Sequence, residues 1–272
     1  MTFSKPLAAS RIVAAATLAS SIAWAAPASA LDLIGLTANN QLLMMTDSKP
    51  GAARALDITG VDTKVLGIDI RPADLALYAV TASGTIYTID TTSGAATRMS
   101  KISERLEAVD NLVVDFNPQA DRLRVMASNG QNLRVNVETG ATVIDGRLSY
   151  DKADKHAGTK PGVLAGAYIN SYKGTKFTQL FDMDSKTGMY VVQDPPNDGV
   201  LKTVGPTGLA AGVKIEAIDI FTDPKDEYHG FAVAGGALYT FPVAKGMMTR
   251  VGKIASPAGA AVIDIASPVM NR

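Results

Sequence analysis

Short apolar runs alternate with turn residues along almost the whole chain, and four of these runs carry an aspartate at their centre. They are Ile68-Asp69-Ile70 ahead of Pro72, Val114-Asp115-Phe116 ahead of Pro118, Ile218-Asp219-Ile220 ahead of Pro224, and Ile263-Asp264-Ile265 ahead of Pro268. A degenerate copy, Gly166-Ala167-Tyr168, falls between the second and the third. The central residues lie 46, 52, 52 and 45 positions apart. Self-similarity at a fixed period of this size marks a repeat architecture.

Each repeat divides into four strand-like runs, A to D. In one unit A is Leu66–Ile70, B Leu77–Val80, C Thr85–Ile89 and D Ala96–Ile102. The next unit repeats this with A at Leu112–Phe116, B at Leu123–Ala127, C at Asn132–Val137 and D from Ala141. Ser83-Gly84, Ser93-Gly94, Asn129-Gly130 and Thr139-Gly140 separate the runs, and such pairs supply the positive φ of tight hairpins. Asp69 to Gly84 and Asp115 to Gly130 are both 15 residues; Asp69 to Gly94 and Asp115 to Gly140 are both 25. A two-sheet sandwich would also show short strands, but it does not impose a constant internal spacing.

The two ends are incomplete in complementary ways. The N-terminal part has a B-like run at Leu33–Leu36, C at Gln41–Met45 and D at Ala53–Ile58, with no A strand. The C-terminal part has an A strand, Ala261–Ile265, and little after it. Joining them completes one blade and closes a ring, which removes the exposed sheet edges of an open array. The pattern predicts an all-β fold: a five-bladed β-propeller of four-stranded blades, closed by pairing the C-terminal strand with the N-terminal three-strand unit.

Residues 1–30 read differently. Lys5 and Arg11 precede an alanine-rich apolar stretch and Ala28-Ser29-Ala30, a small-residue cleavage pattern. The expectation is a secretory signal peptide cut after Ala30, with residues 31–272 as one propeller domain in the periplasm or the medium. The leader holds Trp24, the only tryptophan. Without Lys5 and Arg11 the rest carries 24 basic against 26 acidic residues, so there is no electrostatic case for nucleic acid. No other stretch has the length of a membrane span. Cysteine is absent, which excludes disulfides, thiol nucleophiles and thiolate metal sites.

Several segments resemble a bacterial secreted family known as domain of unknown function 4394. They are GIDIRPAD (67–74), VVDFNPQADRLRVMASNGQNLRVNVETG (113–140), PPNDGVLKTVG (195–205), LIGLTANNQL (33–42) and LYAVTASGTIYTID (77–90). The resemblance implies an exported β-repeat protein and brings no activity with it. The chain departs from the pattern at Ala167, where its own repeats have Asp.

Candidate chemistry gathers in two sets. Asp69, Asp115, Asp219 and Asp264 would ring a central channel, either holding a hard cation such as calcium or accepting backbone N–H bonds from a neighbouring blade. Repetition favours the structural role. No cofactor is called for, calcium being the one ion the ring would suit. Arg71, Asn117, Arg122, Arg124 and Arg134 form the second set. Arg122 and Arg124 alternate with Leu123 and Val125, so both leave one face of the strand. They either pair internally or make a socket for a carboxylate, phosphate or acidic sugar.

Asp182-Met183-Asp184 starts like a calcium loop but lacks the later ligands, and neither a nucleophile elbow nor a phosphate loop is present. Irregular insertions at Pro195–Gly199 and Tyr150–Gly162 are the places where function would collect. The leading expectation is a non-catalytic binding or scaffold protein for a small molecule, glycan or protein. The alternatives are a cation-stabilised structural propeller and a carbohydrate-active hydrolase or lyase. The last rests on fold analogy and needs two reachable carboxylates about 5–10 Å apart.

Overall fold

The computed structural model describes Met1, residues 30–107 and residues 112–270; residues 2–29 of the expected leader over 1–30 lie outside the described residues. Five antiparallel sheets stand in a ring. From the axis outward, blade 1 is Val262–Ala266, Asp32–Thr37, Gln41–Thr46 and Arg54–Asp57. Blade 2 is Val65–Ile70, Leu77–Thr81, Thr85–Ile89 and Ala96–Lys101, and blade 3 is Val113–Asn117, Arg122–Met126, Asn132–Val135 and Thr142–Ile144. Blade 4 is Val163–Tyr168, Leu180–Asp184, Met189–Gln193 and Val200–Pro206, and blade 5 is Ile215–Thr222, Tyr228–Ala234, Ala237–Phe241 and Thr249–Lys253. Each innermost strand packs against the innermost strands of both neighbouring blades, and 262–266 packs on 65–70 to close the circle. The protein is a five-bladed β-propeller. No α-helix occurs among the described residues; there are single 3-10 turns at Pro50–Ala52, Pro196–Asp198 and Pro257–Gly259.

The closing blade forms through antiparallel pairing of Ile34 with Ala266 and of Gly35 with Ile265. Blade 4 departs from the four-strand expectation. The chain arriving from blade 3 runs along the outer edge of blade 4, and Ser149-Tyr150 pairs parallel with Val200-Leu201 as a fifth short strand. The Tyr150–Gly162 insertion is tied down rather than loose. Asp154 accepts from Thr203, Tyr150 Oη donates to Asp184 at 2.7 Å, and Gly162 N–H donates to the same carboxylate.

The core is divided into five apolar clusters, one per seam between successive blades. Both faces of each sheet are therefore buried, so the inner strands are apolar at nearly every position rather than alternating. In Leu77–Thr81, Leu77 and Ala79 enter the seam with blade 1, and Tyr78 and Val80 enter the seam with blade 3. Each fully buried Leu or Val stabilises the fold by ~1.5–3 kcal/mol.

The turn glycines also set blade spacing. Gly94 and Gly140 have φ of 75° and 76°, and a Cβ there would strike the carbonyl oxygens of Asp57 and Lys101 on the outer strand of the preceding blade. Thr59 N–H donates to Gly94 O, and Ser103 N–H donates to Gly140 O. One residue thus satisfies a tight turn and lets the next blade come close.

Candidate functional site

The four repeat aspartates bind each blade to the next. Asp264 Oδ2 accepts Ile68 N–H at 2.7 Å, Asp69 Oδ2 accepts Phe116 N–H at 2.6 Å, and Asp115 Oδ1 accepts Tyr168 N–H at 3.0 Å. Asp219 Oδ2 accepts from Ser267 N–H, just beyond the inner strand of blade 1. Asp69, Asp219 and Asp264 use their other oxygen on the N–H of the following residue. Ala167 has no carboxylate to offer at the seam between blades 4 and 5, and there Asn170 N–H donates to Thr222 Oγ1 instead. All four aspartates are buried.

Three of these carboxylates also converge, with oxygens of Asp69, Asp115 and Asp219 within 4.8 Å of one another. Burial raises the pKa of Asp69 and Asp115 well above the usual carboxylate value. The charge of Asp219 adds to the rise at Asp69, and those of Asp69 and Asp219 add to it at Asp115. Burial raises Asp219 and Asp264 too. Such a trio must share protons or hold a cation. Five of the six oxygens accept backbone N–H groups, and all three side chains are buried, which is not the pair of reachable carboxylates that glycoside hydrolysis needs.

Of the two roles open to the arginines, internal pairing is the one seen: each guanidinium has a partner within the protein. Arg71 reaches from blade 2 to Asp121 of blade 3, with Nε–Oδ1 at 2.8 Å and Nη2–Oδ2 at 2.6 Å, and also meets Glu138, Asp74 and Tyr78. Arg124 is fully buried and donates to Asp145 at 2.6 Å, Asn132 at 2.7 Å, Asn197 at 2.9 Å and Tyr168 Oη at 3.2 Å. Arg134 forks onto the same Asp145, and Arg122 turns back to the carbonyl of Asp121. Asn117 caps its own turn by accepting Gln119 and Ala120 N–H. The Asp121 carboxylate, next along the same turn, goes to Arg71. Asp145, Asn132 and Asn197 were not singled out from the sequence, although the Pro195–Gly199 insertion that carries Asn197 was.

Two adjoining clefts lie at the end of the ring where strands A lead into strands B. A cleft of about 310 Å³ is lined by Pro72, Pro118, Gln119, Asp121, Lys173 and Lys176. Beside it, a second cleft of about 240 Å³ enters the seam between blades 3 and 4. Asn117, Gln119, Tyr168, Gln179 and Gln193 line it, so Gln119 belongs to both. A larger hollow of about 410 Å³ lies along blade 1 by Asp32, Met44 and Lys49 and has no buried polar side chain.

The profile of the family described as "Domain of unknown function (DUF4394)" matches residues 41–266. The chain belongs to the DUF4394 family. No curated protein matches it. A structural genomics protein of unknown function from Bacteroides thetaiotaomicron VPI-5482 shares the fold at 18% identity and a TM-score of 0.52. The alignment covers 88% of this chain and 65% of that one, so the DUF4394 chain spans just under two thirds of its neighbour's length. YCF48 from Cyanidioschyzon merolae aligns at 14% identity and a TM-score of 0.42, covering 79% of this chain and 71% of the other.

One seam of this DUF4394 propeller holds polar atoms that its repeats do not explain. Leu180, Asp182 and Gln193 share the face of blade 4 that meets blade 3, since Leu180 pairs with Gln193 and strand positions alternate. Gln193 donates Nε2–H to Pro196 O at 2.6 Å, but its Oε1 is buried without a hydrogen-bond partner. Both carboxylate oxygens of Asp182 are in the same condition. Burial pushes the Asp182 carboxyl up to about 8, against the pull of Arg124 and with a further push from Asp184. Gly166 stands opposite because a Cβ there would run into Asp182 Oδ1.

Proposed function

We propose that this DUF4394 propeller is an exported, non-catalytic binding module that presents the A-to-B end of blades 2 to 4 to its ligand. The leader over residues 1–30 supports export to the periplasm or the medium, with residues 31–272 acting as one unit. The observation that carries the reading is the pair of adjoining clefts joined at Gln119, at an end where the arginines and repeat aspartates are already committed internally. Loops on a rigid repeat scaffold are where binding groups collect. The test is a thermal-shift screen of sugars, peptides and small metabolites against the wild-type chain and Gln119→Trp, which fills the junction of the clefts. The reading expects at least one compound whose shift is lost in the variant. Ligands that bind both proteins equally, or a bound compound that is turned over, would overturn it.

A second reading follows from the three converging carboxylates: a cation at the axis, calcium by its preference for oxygen ligands, would relieve their mutual repulsion and stiffen the ring.

A further inference from the structure

We propose that the cleft between blades 3 and 4 takes a neutral, hydroxyl-rich unit of the size of one sugar ring; this names the ligand class for the binding end proposed above and rests on that reading. The inner wall supplies the first reason. Gln193 is 1% exposed and holds its Nε2 on Pro196 O, so the amide orientation is set and Oε1 is left as an acceptor with no donor. A buried acceptor in that state costs about 1–3 kcal/mol, which a donor from a ligand or a water recovers. A hydroxyl group is such a donor, and an ionised carboxylate is not.

The lining supplies the second. Around Gln193 stand the amides of Asn117, Gln119 and Gln179, with Leu180 as an apolar wall. The single charged side chain, Asp194, is paired with Lys202 at 2.7 Å. An amide both donates and accepts, as does a sugar hydroxyl, and an apolar wall suits the C–H face of the ring. Among the described residues the narrow cleft offers an anion no free cation, since Arg124 is sealed behind Tyr168 and Asn197.

The rim supplies the third. Phe177 is 55% exposed and lies between Lys176, which lines the wider cleft, and Thr178, which lines the narrow one. Its backbone is held by Asn170 and Thr175, so the ring is presented on a fixed loop. An exposed aromatic beside an amide-lined cleft offers a platform for a second ring of the same ligand. At about 240 Å³ the cleft is below the range for drug-sized ligands, which limits the buried part to one unit.

The experiment titrates glucose, galactose, mannose, N-acetylglucosamine and their short oligomers into the chain, with saturation-transfer NMR and thermal shift as readouts. Galacturonate and inorganic phosphate are run alongside. At least one neutral sugar is expected to bind, with affinity falling about tenfold or more in Gln193→Met and Phe177→Ala. Phe177→Ala alters an exposed side chain, so it reports on binding even if Gln193→Met lowers the melting point. Binding of the anionic probes alone, or of no sugar at millimolar concentration, overturns the proposal. If a peptide or metabolite binds and Gln119→Trp abolishes that binding, the binding-module reading stands without the sugar. If a sugar binds and its glycosidic bond is cleaved, the ligand class stands and the non-catalytic reading falls.

Discussion

Replacing Asp182 with asparagine keeps the shape of the side chain and removes its ionisable group. The carboxyl is fully buried, and burial holds its pKa at about 8 against 3.8 for an ordinary aspartate. Below about pH 4 both the folded and the unfolded chain carry a neutral acid, so wild type and Asp182→Asn differ only by packing. As pH rises from there towards 8, the unfolded chain ionises while the folded chain stays protonated. Wild-type stability therefore declines across this window, and the variant has no such loss. At 1.36 kcal/mol per pH unit, the gap of about four units amounts to ~5 kcal/mol at pH 8 and above, and ~4 kcal/mol at pH 7. Water entering the seam lowers both figures. Urea unfolding of the two proteins at several pH values between about 4 and 9 measures the difference, and the contributions of the other buried aspartates cancel in the comparison. The advantage of Asp182→Asn should grow steadily with pH. An advantage that is the same at about pH 5 and pH 9 would refute the account of a neutral buried acid.

Three further outcomes follow from the seams. Arg124→Met leaves Asp145, Asn132 and Asn197 without their shared donor in a dry site, and a loss of about 3 kcal/mol is expected in denaturant unfolding. Gly140→Ala forces a Cβ into Lys101 O at a positive φ, so a drop of about 2 kcal/mol or more should appear as a lower melting point. Asp115→Asn keeps an acceptor for Tyr168 N–H and relieves the crowding of charge, so in chelator it should melt at or above the wild-type temperature. Calcium should raise the wild-type midpoint and leave that variant unmoved; identical wild-type midpoints with calcium and with chelator would sink the axial-cation reading.

The blade pattern was legible because it is local. Asp69 to Gly94 and Asp115 to Gly140 are equal spans, and each ends on a glycine that a turn with positive φ demands. The closing pair was legible because a missing strand at one end matched a spare strand at the other. The aspartates were half legible: their recurrence pointed to a structural role, but the donors lie on the next blade, 47 residues on for Asp69 and Phe116. Arg122 and Arg124 looked equivalent in sequence. Only the fold separates them, because Asn197, 73 residues away, seals Arg124 while Arg122 stays at the strand end beside its own turn. Asp182 was read only as the start of a failed calcium loop. Nothing nearby in sequence announces that both of its oxygens lack partners, since that depends on which side chains the facing blade brings.

Blade 1 joins residues 32–37 to residues 262–266, with Ile34 and Ala266 some 232 positions apart. During synthesis from the N-terminus, Asp32–Thr37 emerges long before its inner neighbour, Val262–Ala266. Throughout that interval a row of unpaired N–H and C=O groups flanks the apolar stretch Leu33–Leu36. The protein thus carries a built-in delay between synthesis and maturity, set by one pairing between its most distant strands. Its folding rate should be set by the wait for that one distant pairing rather than by the four blades that assemble from contiguous chain.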